Sequence, residues 1–504
     1  MLRSPLPLGT LDLDPKAPSP LYRQLYEGLR SAILEGRLAS GARLPSSRLL
    51  AADLGVGRNT VLSAYEQLAA EGYLEGQVGA GTRVAAILPD RLLEVGKSAA
   101  RKSPRDLAET NALSERGKRL ASIRRTAPRY DRGEGRAFQH GLPAIDQFPG
   151  TLWSRLLARR ARDPRNGLFG YETGEGFGPL REAIAAHAGA ARGVVCTPEQ
   201  VIVTTGAQAA LDLAARMIVD PGDAVWLEEP GYLGARGAFL GAGATLTPVP
   251  VDDEGINVQA GIALEPKPRL IYVTPSHQFP LGMTLSLQRR LALLEIARAQ
   301  SAWILEDDYD SEYRYTGRPL AALQGLDRSG RVLYMGTFAK TLFPSLKIGY
   351  LIVPVALIEA FRTAIRITGH VPAPAVQAAL ADFINEGHYG AHVRRMRAVY
   401  ASRRACLIGA IETELGDFLE AAPGDGGMQM TAYFRNGIDD REAAALAAEA
   451  SIHVSALSAY YLGERRRSGL YMGFAAIPET GIIKGAQRLA AVFDAAKPGR
   501  RGAA

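Results

Sequence analysis

Apolar residues recur along this chain with two different periods, and the change of period divides it. Leu21, Leu25, Leu29 and Ile33 return every four residues, which predicts one apolar helix face. Gly36 and Gly41 then break the pattern. The stretch LPSSRLLAADLG predicts a short second helix, capped by Ser46 or Ser47 and stopped by Gly55. After a tight GVG turn, Asn59 or Thr60 opens a third helix whose inner face is Val61, Ala64, Tyr65 and Leu68. GYLEGQVGAGTRVA follows as two short strands around a glycine-rich tip. Helix, helix-turn-helix and hairpin in this order predict a winged helix-turn-helix.

From about residue 137 the pattern changes to alternating β-branched runs and helical stretches. QVIVTT leads into GAQAALDLAARMI, DAVWLEEP into GYLGARGAFLGAG, and PRLIYVTP into LQRRLALLEIARAQ. AWILEDDYD, RVLYMGTF and IGYLIVP add further strands. Such alternation implies a mainly parallel sheet covered by helices. The expected layout is an arm at 1–19, a DNA-binding domain at 20–86, a basic linker at 87–136, an α/β domain at 137–496 and a disordered tail at 497–504.

Composition adds little except in the linker. The 504 residues are 47% hydrophobic and 22% charged, as in an ordinary globular chain. The best candidate for a membrane span, VIVTTGAQAALDLAARMIV, is interrupted by Gln208, Asp212 and Arg216. The N-terminus lacks the apolar segment of a signal peptide, and Cys196 and Cys406 have no metal-like spacing. A cytoplasmic protein with reduced thiols is the simplest reading. Residues 91–136 hold thirteen Lys/Arg against six Asp/Glu, a surplus equal to the +7 of the whole chain. A basic tether can attract the DNA backbone without reading sequence, or can simply remain solvated.

In a winged helix-turn-helix the third helix enters the major groove with its N-terminal side chains at the base edges. Arg58, Asn59 and Thr60 hold those positions, where arginine can pair with guanine and asparagine with adenine. Arg43, Ser47 and Arg48 are placed for phosphate or base contact, and the wing glycines Gly79 and Gly81 let backbone approach the minor groove. The run GARLPSSRLLAADLGV, then RNTV, LAAEGYL and GAGT, resembles the GntR-type winged helix over residues 20–85.

The polar residues at the strand ends of the second half resemble those of fold-type I pyridoxal-phosphate enzymes, the aminotransferase class, across roughly 137–495. The resemblance implies that Lys340 in GTFAK forms an imine with the cofactor aldehyde. Asp307 in ILEDDYD would face the pyridine nitrogen and keep it protonated. Tyr309 would donate to the ring's phenolic oxygen, and Tyr232 in EEPGY would stack on the ring. Gly206 and the amides of Ala207 and Gln208 open a helix suited to a phosphate dianion, with Thr337 and Lys347 on its other oxygens. Tyr171 in GYETGEGFGPLREAI would reach the phosphate of a neighbouring subunit, so the site implies a homodimer.

Both resemblances, in this order, together with TPSHQFPLG, EDDYDSEYRY and GTFAKTLFP, resemble the MocR/GabR subfamily of GntR-type regulators. That implies a transcription regulator binding double-stranded operator DNA. It would be a head-to-tail dimer, sensing pyridoxal phosphate, an amine or an amino acid. Three departures argue against efficient transamination. Phe279 stands for the asparagine that bonds the ring oxygen, Lys347 for a phosphate-gripping arginine, and Tyr471 or a neighbour for the arginine that clamps a substrate carboxylate. Arg236 lies near Tyr232 in sequence but has no evident place in the pocket. At most a vestigial or weak half-reaction is expected. The rival from another class is a working aminotransferase with an accessory N-terminal domain.

Overall fold

The computed structural model describes residues 13–77 and 81–86 (save 16), 113–122, 137–162, 168, 170 and 174–496 (save 318, 319, 423, 436 and 466). The chain forms two compact units, divided between Ala112 and Leu113. Most of the arm, the wing tip with Gly79, most of the linker, Tyr171 and the tail lie outside the described residues.

The first unit is built from α1 (Leu21–Leu34), α2 (Ser47–Leu54), α3 (Arg58–Ala70), β1 (Leu74–Gln77) and β2 (Gly81–Val84). Leu25, Leu29 and Ile33 of α1 pack with Leu50, Val61, Ala64, Leu68 and Val84 in one apolar core. Ser46, not Ser47, caps α2 by accepting from the Leu49 amide. Gly55 ends α2 with φ +65°, a conformation glycine adopts without a Cβ penalty. The third helix starts earlier than expected. Gly57 is its N-cap, so Arg58 is already helical, and neither Asn59 nor Thr60 serves as the cap. The hairpin is antiparallel, with Leu74 opposite Val84. The strand also gains a third edge: Leu44 donates to Thr82, Gly41 to Val84, and Val84 to Ala42, which ties Arg43 across from Arg83.

The second unit is an α/β body carrying a smaller antiparallel sheet. Its main sheet runs β3 (Val201–Thr204), β10 (Gly349–Ile352), β9 (Val332–Thr337), β8 (Trp303–Asp308), β7 (Leu270–Val273), β4 (Ala224–Glu229), β5 (Thr245–Asp252) and β6 (Gly255–Ile256). From β9 to β5 the pairs are parallel, while β10 runs antiparallel to both neighbours. Apart from β5, which is mostly half-buried, the strands are almost wholly buried, as expected for a sheet covered on both faces. The second sheet orders β11 (Leu419–Ala421), β12 (Gln429–Phe434), β14 (Gly469–Gly473) and β13 (Ser455–Ala456). It packs with the long helix His388–Glu414 and the helix Glu479–Ala496 around Phe138, Met396, Leu407, Leu470, Met472 and Leu489.

A short helix, α4 (Glu115–Ser122), sits within the stretch read as linker. It packs on the helix Leu233–Ala242, where Gly241 admits it: a Cβ there would stand 3.0 Å from Leu120.

Candidate functional site

The reading-head residues sit as a winged helix requires. Arg58 and Asn59 are exposed at the N-terminal turn of α3, and Thr60 beside them is half-buried. Arg48 and Arg43 are exposed and Ser47 is half-buried. The Arg58 guanidinium leans towards Ser47 Oγ, 3.4 Å away, which brings α2 and α3 onto one surface. The Arg43 guanidinium lies over Gly81, where a Cβ would come within 3.1 Å of its Nε, so the wing glycine makes room for a cation. The Tyr65 hydroxyl donates to the Pro45 carbonyl at 3.0 Å and pins the turn before α2 to α3.

The second site forms where β3, β4, β8 and β9 end. Strand β10 starts there with Gly349, which pairs with Thr204 on one side and Thr337 on the other. A Cβ on Gly349 would stand 2.8 Å from Gly206 C and 3.0 Å from Ala207 N, so only glycine lets the next helix start this close. That helix, Ala207–Ile218, has Gly206 as its N-cap with φ +88°. Its first amides have no partner inside the helix and suit an anion. Thr337 Oγ1 accepts from the Ala339 amide and faces the Ile348 carbonyl. Lys347 is exposed with φ +53° just before β10. The Gln208 side chain turns away and donates to Gly234 at 3.0 Å, which leaves its backbone amide as the contributing group.

Asp307 and Lys340 are both buried and close enough to interact electrostatically. Asp307 Oδ2 accepts from the Tyr272 hydroxyl at 2.6 Å. Its Oδ1 is buried without a hydrogen-bond partner. Burial pushes this carboxyl up to about 7, against the Tyr272 bond that pulls it down. A donor offered to Oδ1 would relieve both the missing bond and the buried charge. Burial also lowers the Lys340 ammonium, while Asp310 and Asp307 pull it back up. Lys340 Nζ donates to the Gly141 carbonyl at 3.0 Å. His140 beside it is held down to about 4 by burial and by Lys340. A lysine with lowered basicity, a buried carboxylate missing one donor and a helix N-terminus are the parts that a phosphorylated pyridine aldehyde needs.

The remaining wall is aromatic. Phe279 is the hub: its ring lies 5.4 Å from Tyr232, 5.2 Å from Tyr460, 5.2 Å from Tyr471 and 6.3 Å from Tyr309. Tyr309 was expected to donate to a ring oxygen, but its hydroxyl donates to the His277 carbonyl at 3.0 Å. Arg236 does enter the picture. It lines a narrow adjoining cleft with Glu228, Glu229, Tyr232, Tyr272 and Tyr460, where two carboxylates stand beside it.

Several residues here escaped sequence reasoning. Gly141, His140, Gln429 and Ser455 arrive from the smaller sheet and its approach loop: Gly141 donates to Gln429 Oε1 at 3.1 Å, and His140 Nε2 lies 2.9 Å from Ser455 Oγ. No local pattern marks them, because each partner lies 288 or more residues away along the chain. Tyr272 and Gly349 were legible only as strand residues. Among the described residues no His, Cys, Asp or Glu group could hold a metal ion.

Comparison with known proteins matches both units. Residues 21–84 match the bacterial regulatory proteins, gntR family, and residues 153–489 match aminotransferase class I and II. The chain is 46% identical over 486 residues to a probable rhizopine catabolism regulatory protein MocR of Rhizobium meliloti, covering 96% of each. It is 31% identical to the HTH-type pyridoxine biosynthesis transcriptional regulator PdxR of Corynebacterium glutamicum, over 92% of this chain and 93% of that one. Among solved structures, LysN, the α-aminoadipate aminotransferase of Thermus thermophilus, matches with TM-score 0.70 and 26% identity, over 77% of this chain and 98% of that one. The kynurenine aminotransferase of Pyrococcus horikoshii, solved in complex with PMP, matches with TM-score 0.67 and 27% identity, over 80% and 99%.

Proposed function

The chain belongs to the MocR group of GntR-type transcription regulators, DNA-binding proteins with an aminotransferase-like domain, and from that membership we propose that its large unit binds pyridoxal 5′-phosphate and makes operator affinity depend on it. The observation that carries this reading is the position of Lys340. Its amine is held by Gly141, five residues beyond the end of the basic linker at 136. Any partner that takes the amine also releases that backbone carbonyl.

Lys340, Asp307, Thr337, Lys347, Gly206 and the amides of Ala207 and Gln208 would hold the cofactor, with Tyr232 and Tyr309 at its ring. The cofactor supplies an aldehyde that traps primary amines and a ring that withdraws electrons. Asp307 would offer its unpaired Oδ1 to the ring nitrogen, and the aromatic wall would shield the ring from water. Tyr171 of a second subunit would complete the phosphate site in a head-to-tail homodimer. Arg43, Ser47, Arg48, Arg58, Asn59, Thr60, Gly79 and Gly81 would contact the operator. The protein would act in the bacterial cytoplasm, on the nucleoid when DNA-bound.

The effector is either pyridoxal phosphate itself or an amine or amino acid reaching Lys340. The names of two relatives point each way, one to pyridoxine biosynthesis and one to rhizopine catabolism. Phe279, Tyr460 and Tyr471 present no guanidinium to a carboxylate, which removes a bidentate clamp and disfavours efficient turnover.

Fluorescence anisotropy on DNA from upstream of the gene tests this, with protein alone, with pyridoxal phosphate, and with pyridoxal phosphate plus amines and amino acids. A change of affinity with either addition, lost in Lys340→Ala, supports the reading. Equal affinity in all three forms, or a visible cofactor band that survives Lys340→Ala, overturns it. Steady transamination at enzyme-like rates without operator binding would favour the aminotransferase alternative.

A further inference from the structure

The TPSHQFPLG turn places a histidine, His277, that the cofactor site as described does not use. It is 8% exposed, and glycines shape its slot: a Cβ on Gly282 would stand 3.2 Å from Nε2, and one on Gly427 would overlap Cε1. Its Nδ1 lies 3.1 Å from Asp310 Oδ2 and 3.0 Å from the Tyr309 hydroxyl.

The surrounding network fixes where the protons are. The Gly141 amide can only donate, so the Gln429 atom it meets is the carbonyl oxygen. The other end of that amide is then the NH2, which donates to Asp310 Oδ2 at 3.3 Å. Asp310 Oδ2 is therefore an acceptor, and the His277 nitrogen facing it carries hydrogen. That N–H is shared with the Tyr309 oxygen, while the Tyr309 O–H points at the His277 carbonyl at 3.0 Å. An unbroken chain runs from Lys340 through Gly141, Gln429, Asp310 and His277 to Tyr309.

We propose that His277, oriented by Asp310, is the positioning residue for Tyr309, and that it takes over the task which Phe279 has no polar atom to perform. The proposal rests on the cofactor reading above. A phenol whose oxygen accepts an N–H becomes a stronger donor through its own O–H. Turned from the His277 carbonyl towards the cofactor's phenolic oxygen, such a donor favours the ionised form of that oxygen. The charged and titratable groups facing this corner are Asp307, Asp310 and His140 around Lys340, Asp310, Tyr309, Arg192 and Arg314 around His277, Tyr272 and Tyr471 beside Tyr309, and Asp308 beside Asp310.

The test is the pH titration of the visible cofactor band in the full-length protein. Tyr309→Phe sets the scale by raising the midpoint. His277→Leu raises it by about half a pH unit or more, the size of one lost hydrogen bond. His277→Asn, whose amide N–H replaces Nδ1–H, restores most of it. If His277→Leu titrates like the native protein while Tyr309→Phe is displaced, the proposal is overturned. His277→Met, of similar volume and without an N–H, decides if His277→Leu does not fold. An absent band in the native protein, or an unmoved Tyr309→Phe, overturns the cofactor reading beneath it.

Discussion

Asp307→Asn isolates the strain that the large unit carries before it meets a ligand. The carboxyl lies at the end of β8, buried, with one oxygen bonded to Tyr272 and the other without a partner. Its folded pKa of about 7 stands against an ordinary value of 3.8. A carboxyl raised on folding contributes fully below its unfolded pKa, and its contribution is lost as pH rises through the folded value. For this shift the loss is under 1 kcal/mol at pH 4, about 2 kcal/mol at pH 5 and about 4 kcal/mol at pH 8, an upper figure because buried sites relax. Asparagine keeps an acceptor for Tyr272 and removes the charge; Glu228, which Asp307 helps to raise, is relieved in the same direction, while Lys340 loses part of its support. The cofactor-free variant should therefore gain on the native protein as pH rises from 5 to 8, by about 2 kcal/mol. Thermal unfolding midpoints of both proteins across that range, without and with pyridoxal phosphate, measure it. With cofactor the order should reverse above pH 7, because only the native carboxylate meets a ring cation. A stability difference that stays flat from pH 5 to 8 would refute the reasoning.

Two further outcomes are expected. Arg58→Ala should weaken operator binding about ten- to hundredfold, the range of one lost base contact, with the cofactor band unchanged; losing both together would indicate misfolding instead. Gly349→Ala places a Cβ 2.8 Å from Gly206 C, against backbone that cannot rotate away. It should lower thermal stability by about 1–3 kcal/mol and loosen phosphate binding, read by calorimetry, while operator affinity of the cofactor-free protein holds.

The linker helix shows where local pattern stops informing. Residues 115–122 carry five charged side chains or glycines in ERGKRLAS and little that a helix could bury, yet they fold against Leu233–Ala242. Leu120 lies against Gly241 of the partner helix, and a lone large apolar residue gives no period to detect. The start of α3 slipped by one or two residues for a related reason: Gly57 caps through backbone conformation alone, without a side-chain bond. By contrast the inner face of α3 and the strand–helix alternation were plain, because the helix face repeats at 3.6 residues and the doubly covered strands are continuous apolar, β-branched runs.

Sequence alone determined the two modules, their order and most of the chemistry-bearing positions. Lys340, Asp307, Thr337 and Gly206 stand at strand ends and at a helix start, and those places are set by local pattern. Tertiary structure decided the rest. It put Gly141 against Lys340, left Asp307 Oδ1 without a donor, gave Tyr309 to His277 and assembled an aromatic wall from five separate segments. Hydrogen bonds between groups hundreds of residues apart depend on how two sheets pack, and side-chain packing of that kind has no period along the chain.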